Sequence, residues 1–128
     1  MYIYDYDSSY FPAVPVAEIG PNKVGAGPEA EMVLIALLDS GADGTIVPVA
    51  HLETMDAEYV NSGFMRGVTG GRSSVDIYAV TLRIGAYKLS SVRVVADEQN
   101  QETILGRNVL NRFIVTLNGL AGVTEISD

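Results

Sequence analysis

Apolar residues in this chain come in short runs cut by turn residues, a pattern that predicts strands. From Ala30 to Leu38 the sequence is almost continuously apolar and is bounded by turn residues. This pattern predicts a strand over Met32 to Leu38 buried on both faces, although periodicity alone leaves a buried helix open. The Asp39-Ser40-Gly41 that follows favours the strand. Met1 to Tyr6 alternates as a half-buried strand would. Pro12, Pro15, Pro21 and Pro28, with Gly20, Gly25 and Gly27, cut the next segment into extended pieces such as Val14 to Ile19 and leave no room for a helix. Thr45 to Val49 is β-branched with Pro48 near its end, a short strand that then leaves its sheet. Ala50 to Val60 suits a helical turn. Phe64 to Val75 has two extended arms around a glycine-rich tip, Val75 to Ile84 alternates as a long strand ending at Gly85, and Leu89 to Ala96 follows as another. Val109, Leu110 and Phe113 have helical spacing, with Gly106 at the junction with a preceding strand. Two final strands, Ile114 to Gly119 and Val123 to Ile126, are joined by a glycine turn. The predicted class is mainly β, a sandwich or barrel with one short helix near the C-terminus.

Composition narrows the possibilities. The 128 residues suit one domain spanning residues 1–128, and 48% apolar with 19% charged content suits a globular protein. No window approaches the roughly 18 uninterrupted apolar residues of a membrane span, so no membrane partner is expected. The first seven residues are acidic and aromatic where an export signal is basic and then apolar, which makes the cytoplasm the default location. With no cysteine and one histidine, His51, thiolate chemistry and imidazole clusters are excluded within one chain. His51 stands in a polar stretch, reads as a surface residue, and has no serine in an elbow motif to serve. The net charge of −8 and the scattered eight Lys and Arg argue against nucleic acid.

The remaining chemistry centres on Leu37-Leu38-Asp39-Ser40-Gly41-Ala42-Asp43. A carboxylate at the end of a buried strand is expensive to ionise unless compensated. Gly41 allows a sharp turn and close approach, and the Ser40 hydroxyl can bond neighbouring main chain. The three describe a carboxylate presented on a tight loop, and Asp39 is the candidate catalytic residue. A metal site on Asp39 and Asp43 lacks enough clustered ligands, so neither metal nor cofactor is expected. The Gly67 to Gly71 tip reads as a mobile hairpin or as an ordinary β-turn.

Leu38-Asp39-Ser40-Gly41-Ala42-Asp43, the glycine-rich hairpin and Ile104-Leu105-Gly106-Arg107-Asn108-Val109-Leu110 resemble, in order and spacing, the retroviral-type aspartic proteases, the retropepsins. Thr116-Leu117-Asn118 is similar to their C-terminal strand. The resemblance covers roughly residues 32–118 and leaves the N-terminal segment 1–30 and the strand in 119–128 outside it. It implies a retropepsin-like closed barrel, homodimeric, that cuts extended peptides. That chemistry uses two facing carboxylates sharing one proton, one as general base on water and the other polarising the scissile carbonyl. Only one Asp-Ser-Gly is present, so the second carboxylate would be Asp39 of another copy across a two-fold axis. By the same resemblance Ser40 bonds across the dimer and Gly41 offers a carbonyl to peptide. Ala42 and Asp43 line the site, with Asp43 paired to Arg107. Gly67, Val68, Thr69, Gly70 and Gly71 form a flap over substrate. Ile104, Leu105, Gly106, Arg107 and Asn108 support the catalytic loop. Ile46, Val47, Val68, Leu89 and Val109 are expected as aliphatic subsite walls. The competing reading is an inactive module of the same fold that binds peptides or dimerises, against which stands the pointless repulsion of two like charges. The added C-terminal strand either enlarges the dimer sheet or folds back on its own subunit.

Overall fold

The computed structural model describes residues 1–66 and 70–128. In chain order it runs β1 (Tyr2–Asp5), β2 (Val16–Lys23), a 3₁₀ turn (Pro28–Ala30), β3 (Leu34–Leu38), β4 (Thr45–Pro48), α1 (Val49–Thr54), β5 (Glu58–Arg66), β6 (Arg72–Ile84), β7 (Tyr87–Asp97), β8 (Thr103–Leu105), α2 (Arg107–Leu110), β9 (Ile114–Asn118) and β10 (Val123–Ser127). The mainly β expectation holds, and the short helix near the C-terminus is α2. A second helix, α1, fills the stretch foreseen as a helical turn but ends early. Asp56, at φ 54°, turns the chain into β5.

Six strands, in the order β2-β3-β8-β4-β7-β6, close on themselves through β2–β6 pairing, and β5 extends outward from β6. The closed ring removes all but one barrel edge. Its interior is filled by residues such as Ala17, Ile19, Ala36, Val47, Val80, Leu82, Val94 and Leu105, with Leu52 of α1 and Val109 of α2 capping it. The strand expected over Leu89 to Ala96 is β7, and it does not alternate regularly. Leu89 and Val92 are both buried although an odd step separates them, which a plain strand forbids. A bulge with Ser91 at φ 56° inserts the extra residue that restores the inward parity.

A separate sheet, β1-β10-β9, is made from the two ends of the chain. The strand beyond Gly119 therefore folds back on its own subunit, between β1 and β9. Ile126, Tyr4 and Val115 pack this sheet on the barrel core. Tyr2 lies so close to Gly85, at φ 59°, that a Cβ there would overlap its ring, and Tyr2 meets Tyr87 edge to face.

The strand leading to Asp39 is less buried than its composition suggests. In β3 only Ala36 is fully buried, while Ile35, and Val33 just before the strand, are 55% and 65% exposed. A barrel wall has one inner face, so alternate residues of an all-apolar strand must look outward.

Candidate active site

The loop that carries Asp39 is created by strand order. β3 and β4 follow each other in sequence, yet β8 lies between them, parallel to β3 and antiparallel to β4. Residues 39–44 must therefore arch over the end of β8. The arch is tied down at both feet: the Asp39 amide donates to the Leu105 carbonyl (3.0 Å), and the Arg107 amide donates to the Ala42 carbonyl (2.8 Å). Within it the Ala42 amide donates to the Asp39 carbonyl (3.1 Å). The Gly41 amide donates to Asp39 Oδ1 (2.9 Å), which fixes the carboxylate on its own loop.

Gly106 sits under this arch so tightly that a Cβ would overlap the Gly44 carbonyl. The residue at that position is set by close approach of two backbones. Thr45, fully buried, links the pieces: its Oγ1 accepts from the Gly106 amide (3.1 Å) and donates to Asn108 Oδ1 (2.8 Å). Asn108 Nδ2 in turn donates to the Arg93 carbonyl on β7 (3.0 Å). Sequence reasoning missed Thr45, whose signal was a hydroxyl opening an apolar run directly after the Asp-Ser-Gly loop.

Two expectations are corrected. Asp39 is exposed in the single chain, because the outward face of β3 and the arch beyond it are open to solvent. The Asp43–Arg107 ion pair is absent: the ion pairs among the described residues are Lys23–Asp56 and Glu31–Arg83. Arg107, opening α2 immediately after Gly106, reaches back over the arch, and its Nη1 donates to the Ser40 carbonyl (2.8 Å).

The expected subsite walls also change. Val47, Leu89 and Val109 are buried in the barrel core. Ile46 instead belongs to a row of register partners, Leu37-Ile104-Ile46-Val95-Ile77, across β3, β8, β4, β7 and β6. All five are half-buried, and on β8, β4 and β7 their sequence neighbours point into the barrel. The row runs over the outer face of the barrel from Leu37, two residues before Asp39, and two of its members, Ile46 and Val95, floor a groove. Above it rises the β5–β6 hairpin, paired as far as Arg66 with Arg72. Its arms are as the sequence predicted. Gly67, Val68 and Thr69 lie outside the described residues, while Gly70 and Gly71 are exposed.

The family model described as "gag-polyprotein putative aspartyl protease" matches residues 31–112, more than half of the chain. The chain belongs to this aspartyl protease family. Among solved structures, a retropepsin-like aspartic protease from Rickettsia conorii shares its fold with a TM-score of 0.68 at 10% identity, over 98% of this chain and 88% of that one. EIAV protease in complex with the inhibitor HBY-793 gives 0.59 at 22% identity, over 77% and 86%. The retroviral protease-like domain of Ddi1 from Leishmania major gives 0.53 at 18%, over 90% of each chain. No curated protein matches. At these identities the neighbours establish the retropepsin-like fold, and the span of the family match includes the Asp39 arch.

Proposed function

We propose that this chain is an aspartic endopeptidase of the retropepsin type, that residues 1–128 act as one domain, and that it works as a homodimer. The observation that carries the reading is the single Asp39 arch, rigidly anchored from below yet open above. A carboxylate so held is pre-positioned but lacks its chemical partner, and a two-fold axis through the arch supplies one. The free edge of β9, with Ile114 and Leu117 63% and 54% exposed, offers an unpaired strand for the same axis.

In the dimer two Asp39 carboxylates share one proton. The ionised one takes a proton from water, which attacks the scissile carbonyl, while the protonated one donates to the developing oxyanion. Collapse of the tetrahedral intermediate expels the amine, which takes up the proton that the first carboxylate drew from water, while the second carboxylate regains its proton from the intermediate's hydroxyl as the new carboxyl group forms. Ser40 bonds across the axis, the Gly41 carbonyl and Asp43 hold substrate main chain, Ala42 lines the site, and the hairpin over residues 67–71 closes on the peptide. The Arg107 bond to the Ser40 carbonyl, the Gly106 contact and the Asn108–Thr45 link keep the arch from sagging.

A library of unfolded peptides at acidic pH tests this with native chain and Asp39→Asn. Cleavage by the native chain alone is expected. Equal cleavage by both, or none from a proven dimer, defeats the reading.

A further inference from the structure

Between the groove floor and the β5–β6 hairpin lies a cavity of about 490 Å³, within the usual range for a ligand pocket. Ile46 and Val95, the register pair of β4 and β7, line it with Met65 of the hairpin arm; Asp76, Asp97 and Glu98 supply its charged groups, and the rest of the lining is neutral. No Lys, Arg or His lies among its described lining residues. The hydrogen-bond partners of Asp76 and Asp97 are neutral groups. Asp76 accepts from the Ser62 hydroxyl (2.9 Å), and Asp97 accepts from the amides of Gln99 (2.9 Å) and Asn100 (3.3 Å) and from the Asn100 side chain (3.1 Å). Glu98 is exposed. Neither ion pair of the described residues involves the three.

An aliphatic surface beside uncompensated negative charge suits a side chain with an apolar stem and a cationic head. An acidic side chain would meet repulsion, and a purely aliphatic one would leave the carboxylates without a counter-charge. We propose that this cavity receives a Lys or Arg side chain of the peptide lying in the groove, so that the protein selects a basic residue near the scissile bond. The peptide's path rests on the peptidase reading; the choice of charge rests on the cavity.

The test separates the two. Cleavage-site profiling with a randomised peptide library should enrich Lys and Arg at one position, and a matched Lys/norleucine peptide pair should differ about tenfold in kcat/KM, with the ratio shrinking as salt rises. In the Asp76→Asn/Asp97→Asn/Glu98→Gln variant that ratio should collapse toward one. Cleavage without basic enrichment, or a ratio that survives both the variant and salt, overturns the cavity assignment and leaves the peptidase reading standing. If the native chain cleaves nothing, the peptidase reading falls. The cavity is then judged by NMR titration of Asp39→Asn with the same two peptides. Amide shifts at Ile46, Val95 and Glu98 with the Lys peptide only would sustain it, and equal or absent shifts would refute it.

Discussion

Individual side chains at the arch carry unequal burdens. Asp39→Asn keeps the shape of the carboxylate but not its charge, so cleavage should fall by several orders of magnitude with the thermal midpoint nearly unchanged; peptide hydrolysis and a melting curve read the two. Gly106→Ala forces a methyl into the Gly44 carbonyl. It should cost about 1–3 kcal/mol, and more if the backbone cannot yield, measured by urea unfolding. Thr124 presents the opposite case: it is fully buried in β10, and its hydroxyl has no hydrogen-bond partner among the described residues. Thr124→Val replaces that hydroxyl with a methyl of similar size and should stabilise the protein by about 1 kcal/mol, seen as a higher urea midpoint. Asp-Ser-Gly itself was legible in the sequence, because a carboxylate between an apolar run and a glycine has few idle explanations. Thr45 was not, because its two partners lie more than sixty residues away in the chain.

At the scale of elements, the Glu31–Arg83 pair ties the segment before β3 to β6, with Arg83 Nε 2.9 Å from both carboxylate oxygens. The hydrogen bond from Arg83, aided by its charge and that of Lys88, outweighs desolvation and holds the Glu31 carboxyl below its ordinary value. A depressed folded value means the pair stabilises above the unfolded pKa and is lost as pH falls through the folded one. The native chain should therefore lose more stability than Glu31→Gln between pH 7 and about pH 3, which denaturant midpoints at the two pH values will show. The strand positions of β6 were readable from alternation and those of β7 from its run between turn residues, but the Ser91 bulge was not. A bulge is a parity change that appears only when a strand is laid against its neighbour. The same holds for Met32 to Leu38, whose composition suits a strand buried on both faces while the barrel gives it one.

For the whole molecule, the proposed dimer makes activity a function of concentration. Specific activity should fall on dilution below the dimer dissociation constant, and Ile114→Asp, on the free edge strand β9, should cause the same fall at higher protein concentration while the melting midpoint of the isolated subunit holds. Sedimentation alongside the assay decides the matter. A monomer that retains full activity would contradict a shared carboxylate pair.

By itself the sequence determined the strand-rich class, the glycine-bounded arch with its one carboxylate, and the second motif that supports it, because these depend on local pattern, turn chemistry and residue type. Tertiary structure decided what those pieces face. It put β8 between β3 and β4 so that residues 39–44 must arch, sent Arg107 to Ser40 in place of Asp43, buried Val47 and Val109 while turning Ile46 outward, and folded β10 back between β1 and β9. Each of those outcomes is a long-range register, and register is fixed by which strands the closed barrel makes neighbours.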